Sequence, residues 1–342
     1  SWYQKDLTIS EKVSGMEHPS TATTYHGIAG VYKTQGNYSA ALEWYQKALA
    51  IYEKVLGTEH PDTAATYYGI AGVYDDQGDY PKALSWYQKD LTISEKVLGM
   101  EHPDTAATYN GIAGIYKTQG DYSTALEWYQ KALAIYEKVL GTEHPSMAAT
   151  YNGIAEVYDA QGDYPTALEW YQKDLTISEK VLGKEHPSTA ATYHGIAGVY
   201  DNQEDYPKAL EWHQKALAIR EKILGTEHLY TATSYNNIAV VYNNQDNCPA
   251  ALAWYQKALT IYEKALETEH PFTATTYNNM AWVYMNQRKP AKAAPLFKKA
   301  YRIRLQKLGK NHPDTENSLA GAQDAHTRAK NTTPFKIWLA TP

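Results

Sequence analysis

A single spacing governs this chain. His-Pro recurs at His18-Pro19, His60-Pro61, His102-Pro103, His144-Pro145, His186-Pro187, His270-Pro271 and His312-Pro313, with His228-Leu229 filling the one gap, each 42 residues from the next. Trp2, Trp44, Trp86, Trp128, Trp170, Trp212 and Trp254 keep the same interval. A fixed period of this size marks stacked units, each too small to bury its own apolar face and therefore dependent on its neighbours. The 342 residues thus call for one architecture repeated, not for the two or three globular domains that length alone suggests. Lys-Asp-Leu-Thr-Ile-Ser, starting at Lys5, Lys89 and Lys173, alternates with Lys-Ala-Leu-Ala-Ile-Tyr, starting at Lys47 and Lys131, so the duplicating unit is a pair of repeats. Thr24 to His60 and Thr108 to His144 differ at only 4 positions, which points to recent copying. Ser1-Trp2-Tyr3-Gln4 matches Ser85-Trp86-Tyr87-Gln88, so the chain is expected to begin inside a unit and to be a piece of something longer.

Inside one copy the apolar residues follow helical spacing. Tyr25, Ile28, Ala29 and Tyr32 fall on one face of a short helix A, which Gln35-Gly36-Asn37 stops. In a longer helix B, Tyr38, Ala41, Leu42, Tyr45, Leu49, Tyr52 and Leu56 form one stripe, and Trp44, Ala48, Ile51 and Val55 a second. Two stripes predict burial on two sides, between the helix's own partner and the next repeat. Glu43 and Lys47 stand in the favourable order for an ion pair worth about 0.3 kcal/mol. Pro81, Pro165, Pro207 and Pro249 fall in the first turn of helix B, where a missing donor costs little. Proline also holds the histidine before it in extended backbone, so each His-Pro reads as a turn between helices. The expected class is all-α, with a truncated helix B over 1–15 and repeats at 20–57, 62–99, 104–141, 146–183, 188–225, 230–267 and 272–309. A capping helix over 314–330 and a tail over 331–342 complete a single array spanning 1–330. The tail carries Phe335, Ile337 and Trp338 and is either loose or folded back.

Composition removes most chemistry. With 32 basic against 38 acidic side chains there is no excess to neutralise phosphates, which excludes nucleic acid as an expected partner. One cysteine, Cys248, rules out a disulfide framework or a thiolate cluster and reads as an inert thiol. No apolar run approaches the roughly 20 residues of a membrane-spanning helix, and no signal pattern opens the chain. The reading is therefore a soluble, cytoplasmic protein. Eight of the 12 histidines belong to the turn, one per copy, and no His-x3-His spacing or phosphate loop occurs. No cofactor, no metal and no catalysis are expected.

The order of Tyr25, Ile28, Ala29, Tyr32, Gly36, Tyr38, Ala41, Tyr45 and Ala48 resembles the tetratricopeptide repeat. The long form, with Tyr-Asn-Asn-Ile-Ala at Tyr235 to Ala239 and an extended helix B, resembles the repeats of kinesin light chains. It is similar also to the tetratricopeptide arms of fungal receptor-like signalling ATPases. The resemblance implies a right-handed superhelical solenoid of antiparallel helix pairs, with A helices lining a concave groove that binds a peptide or helical segment of another protein. The second likeness implies instead a sensor or oligomerisation arm of a signalling ATPase lying outside this chain. Kinesin light chains join their motor through a heptad coiled coil, which is absent from this sequence.

On that reading the A-helix face opposite the core stripe is the candidate site. It offers Asn110 and Lys117 in copy three, Asn152 and Asp159 in copy four, and His194 and Asp201 in copy five. Copy six offers Asn236, Asn237, Asn243 and Asn244; copy seven offers Asn278, Asn279 and Trp282. Asparagine carries both a donor and an acceptor, so a ladder of them can pair with the backbone of an extended peptide of any sequence. Glycine pairs such as Gly27/Gly30, Gly69/Gly72 and Gly111/Gly114 cost about 1 kcal/mol per glycine in a helix. Either a ligand backbone approaches them or neighbouring helices pack against them. The half-helix at Trp2 and Tyr3 is expected to be an uncapped end open to self-association.

Overall fold

Every described copy starts the same way. His18, His60, His102, His144, His186, His228, His270 and His312 are helix N-caps in extended backbone. In each, Nδ1 accepts from the backbone N–H two residues on, at 3.1 to 3.2 Å. The imidazole does here what serine or aspartate does in most helices, satisfying one orphan donor, and the following proline sits where no donor is needed. From the first turn of the helix a threonine ties back to the preceding turn: Thr63 Oγ1 donates to the Gly57 carbonyl at 2.9 Å, and Thr105 to that of Gly99 at 3.0 Å. Gly57 and Gly99 have φ of 93° and 98°, a region that glycine enters without penalty.

The computed structural model describes residues 15–265 and 270–341. Within them lie two compact units, one up to Ile177 and one from Ser178. The first holds α1 (Pro19–Thr34) paired with α2 (Tyr38–Val55), α3 (Pro61–Asp76) with α4 (Tyr80–Ile93), α5 (Pro103–Thr118) with α6 (Tyr122–Leu140), and α7 (Pro145–Ala160) with α8 (Tyr164–Ile177). The second holds α9 (Pro187–Asn202) with α10 (Tyr206–Leu224), α11 (Leu229–Asn244) with α12 (Cys248–Ala265), α13 (Pro271–Asn286) with α14 (Pro290–Leu308), then α15 (Pro313–Arg328) and a short α16 (Phe335–Ala340). No strand occurs among the described residues. The expected truncated helix over 1–15, and the uncapped end at Trp2 and Tyr3, lie almost wholly outside the described residues.

Packing follows the two stripes. Ala22, Ala29, Ala41 and Ala48 are fully buried, which lets the backbones approach, and Tyr25 lies against Trp44 at 5.2 Å between ring centres. Lys47 covers the outer face of that indole at 4.2 Å while reaching Glu43 at 2.7 Å, the pair expected from sequence. Tyrosine hydroxyls then couple each helix B to the next helix A: Tyr67 donates to Glu53, and Tyr109 to Glu95, both at 2.8 Å. Val55, placed in the second buried stripe by its spacing, is 47% exposed instead, as are its equivalents Val97 and Val139 to a similar degree. It is the last residue of α2, and the stripe has no further turn to cover it.

The alternation of repeat types has a structural counterpart. Where the sequence reads Asp-Leu-Thr-Ile-Ser, helix B ends in a π turn, at Ser94–Leu98 and Ser178–Leu182. Where it reads Ala-Leu-Ala-Ile-Tyr, as in α2 and α6, it stays α-helical. Tyr52 in α2 bonds Thr23 through its hydroxyl at 2.9 Å; Ser94 stands in the equivalent slot and donates instead to buried Asp90 at 3.0 Å. The tail folds back. Phe335 and Trp338 pack on the core of α14 and α15, and Lys298 Nζ donates to the Trp338 carbonyl at 2.5 Å and to Thr341 Oγ1 at 2.9 Å.

Candidate functional site

In each unit an A-helix face is built by one register of its odd-numbered helices, α1 to α7 in the first and α9 to α13 in the second, and neighbouring A helices touch directly within the unit. The asparagine ladder expected there exists, but it is strung between those helices. Asn110 donates to Thr150 Oγ1 at 2.9 Å, Asn236 accepts from Thr276 at 3.3 Å, and buried Asn278 accepts from Ser318 at 3.1 Å. His26 makes the same rung to Thr66 at 3.4 Å. Asn152 turns toward helix B, its amide 3.4 Å from Asp174 Oδ2. Asn279 hydrogen-bonds Tyr255. These side chains set the spacing of the A helices, and part of their hydrogen-bonding capacity is already used.

Charged members pair across repeats as well. Lys117 holds Glu156, and Lys33 lies 3.6 Å from Asp76. Asp201 accepts from Asn244 at 3.1 Å, and its burial nonetheless lifts its pKa above the usual carboxylate range. Asp159 and Asn243 are half-buried, and Asn243 Oδ1 has no hydrogen-bond partner among the described residues. Trp282 is 38% exposed, its ring edge-on to Phe297 at 5.0 Å. His194 lies deeper than its sequence slot suggests: its Nδ1 is 3.3 Å from Nδ1 of His213, and the amide of Asn237 is 3.2 Å from its Nε2. Burial, then Arg220, lowers the His194 pKa to about 4. For His213, burial, then His194 and Arg220, lowers it to about 3. Both rings are therefore neutral near pH 7. No cluster of three or more potential metal ligands occurs among the described residues.

The glycine pairs resolve into two different positions. A Cβ on Gly69 would come within 2.6 Å of the Tyr45 ring, and one on Gly111 within 2.6 Å of Tyr87, so these glycines make room for the tyrosine of the preceding helix B. On Gly30 and Gly114 an added Cβ would meet nothing closer than a tyrosine hydroxyl at 3.9 Å. Sequence reasoning had passed over those tyrosines as core; the signal that could have found them is the 31 Tyr against 3 Phe.

Residues 1–54, 20–96, 62–138, 104–180, 146–222, 202–264 and 230–306 each match the tetratricopeptide repeat family. The chain belongs to that family, whose members are in general non-catalytic scaffolds for protein partners. Among solved structures it is similar to BtubC (BKLC) from P. vanneervenii, at 22% identity over 66% of this chain and 89% of that one, with a TM-score of 0.54. A Podosopora anserina putative kinesin light chain with nearly identical TPR-like repeats is 32% identical over 60% of this chain and 98% of that one, with a TM-score of 0.47. A signal transduction ATPase with a tetratricopeptide repeat sensor, from Pyrococcus horikoshii, is 18% identical over 90% of this chain and 44% of that one, with a TM-score of 0.55. No curated protein matches the chain. No described helix is long and apolar enough to cross a membrane.

Proposed function

We propose that this chain is a non-catalytic scaffold, acting in the cytoplasm, whose A-helix face receives a peptide or helical segment of a partner protein in the manner of kinesin light chains. The observation that carries this reading is the indole of Trp282, 38% exposed on that face in the second unit. An exposed aromatic side chain is the kind of anchor on which a docking peptide can bury an apolar residue. Asn237, Asn244, Asp201 and Lys117 serve mainly to hold neighbouring A helices in register.

An array of peptides of random sequence, probed with the purified chain, tests this. Trp282→Gly with Asn243→Ala should weaken captured ligands by at least about tenfold while the far-ultraviolet spectrum stays helical. Unchanged binding would remove the site. The near identity of successive copies favours a second reading, the sensor or oligomerisation arm of a signalling ATPase. In the intact gene, a Gly-x4-Gly-Lys-Ser/Thr segment followed by an α/β pattern would decide for it, and heptads would decide for the motor adaptor.

A further inference from the structure

Copy five pairs two histidines that no other copy brings together. His194 stands in the slot of His26, but only in copy five does a second histidine, His213, replace the helix B tyrosine supplied elsewhere by Tyr45, Tyr87, Tyr129, Tyr171 and Tyr255. Their Nδ1 atoms are 3.3 Å apart, with 5.1 Å between ring centres. Bonds from imidazole nitrogen to zinc run about 2.0–2.1 Å, so two donors 3.3 Å apart subtend roughly 105–110° at a shared ion, close to the tetrahedral angle. A neutral imidazole keeps a lone pair on one nitrogen, and burial holds both rings neutral near pH 7.

The surroundings suit ligation. The Asn237 amide lies 3.2 Å from Nε2 of His194; turned over, its oxygen accepts from an Nε2–H. Such an outer hydrogen bond fixes the tautomer and the ring orientation of a metal-bound histidine. In the free protein one Nδ1–H donates to the other Nδ1, so binding moves that proton to Nε2 of its own ring and releases none. His213 is 3% exposed, whereas His194 is half-buried, and one turn further along α9 a Cβ on Gly198 would meet nothing within 4 Å. An ion therefore enters from the A-helix face and keeps water at its remaining positions. Asp201, two turns from His194, adds negative charge to that face. Arg220, the positive charge that both rings feel, is held on Ser234 of α11 at 2.6 Å.

We propose that His194 and His213 form a binding site for a tetrahedral divalent cation of the zinc type, ligated through both Nδ1 atoms and oriented through Asn237. The ion would tie α9 to α10 whether or not the A-helix face holds a peptide.

The full chain, stripped with a chelator, is titrated at pH 7.5 with Co2+, followed by its visible absorption, and with Zn2+, followed by thermal melts and calorimetry. Co2+ should give the bands of tetrahedral cobalt, and Zn2+ should raise Tm in a concentration-dependent way. His194→Asn, which introduces the residue found in this slot in copies three, four, six and seven, should weaken Zn2+ at least about tenfold. His213→Tyr with Asn237→Gly, the pairing of Tyr87 with Gly111, should do the same, and far-ultraviolet spectra should stay helical in both. Asn237→Ala should weaken Zn2+ by about tenfold with both ligands in place. His102→Asn, at a turn histidine, should leave the affinity unchanged. Absence of the cobalt bands, or parental Zn2+ affinity in His194→Asn or in the double variant, overturns the inference. So does a sulfur-to-cobalt charge-transfer band, which would put the ion on Cys248.

Discussion

Two glycines three residues apart on α5 show how finely one turn of helix can be divided. Gly111 is held by the Tyr87 ring, whereas a Cβ on Gly114 would meet only the Tyr129 hydroxyl, at an ordinary contact distance of 3.9 Å. Alanine at Gly114 should therefore stabilise the protein by about 0.5–1 kcal/mol through helix propensity and a more restricted unfolded chain. Alanine at Gly111 should destabilise it by about 1–3 kcal/mol through overpacking. Parallel urea titrations of the two variants check the contrast, and equal effects would contradict the assignment. The turn histidines are argued at the same scale. His102→Ala removes an N-cap and should cost about 1 kcal/mol, while His102→Asn should restore most of it. His270 adds a pH dependence, since burial, then Lys307, lowers its pKa. The unfolded chain therefore takes up that proton first. The contribution of His270 is complete above the ordinary histidine range and is lost as pH falls through and below it.

At the scale of the element, the two repeat types differ by a buried carboxyl. Asp90 accepts from Ser94 at 3.0 Å and from Thr108 of the next helix A at 2.5 Å, and it is 3% exposed. Desolvation outweighs these bonds and lifts its pKa to about 6. A raised carboxyl is favoured by acid: its contribution is complete below the ordinary aspartate value and is lost as pH rises through about 6. Asp90→Asn should remove this dependence and gain on the order of 2 kcal/mol relative to the parent at pH 8, read by chemical denaturation across pH. A parent curve flat between pH 4 and pH 8 would show that the carboxyl is better solvated than its position implies. The π turn after Asp90 belongs to the same exchange, because serine cannot fill the room that tyrosine fills in the other repeat type.

For the whole molecule, the departures from the repeated pattern matter more than the pattern. Copy five places His213 and Arg220 in slots that hold tyrosine in copy one, and copy six answers with Asn237 in a glycine slot. Arg220 donates to Ser234 at 2.6 Å, while His194 and His213 meet 3.3 Å apart, both neutral. Their depressed pKa values mean that stability is complete above about pH 6.5 and is lost as pH falls toward 4, on the order of 3 kcal/mol by about pH 4.5. His213→Tyr with Asn237→Gly, which restores the arrangement of Tyr87 and Gly111, should flatten that acid limb. Amide exchange measured at pH 7 and at pH 4.5 would locate the loss, expected in α9, α10 and α11. An acid limb unchanged in the double variant would show that the pair is not its source.

The period, the helix pairs, the His-Pro turns and the family were legible in the sequence because each rests on spacing along one chain. Spacing also put the candidate residues on one register of helix A. It could not say how far their hydrogen bonds were already spent, since the partners of Asn110, Asn236 and Asn278 lie 40 residues away on another helix. Nor could it separate Gly111 from Gly114, which share composition and propensity and differ only in what stands opposite. A repeated sequence dictates its own local geometry, whereas the use of each side chain is decided by atoms brought near only when the repeats stack.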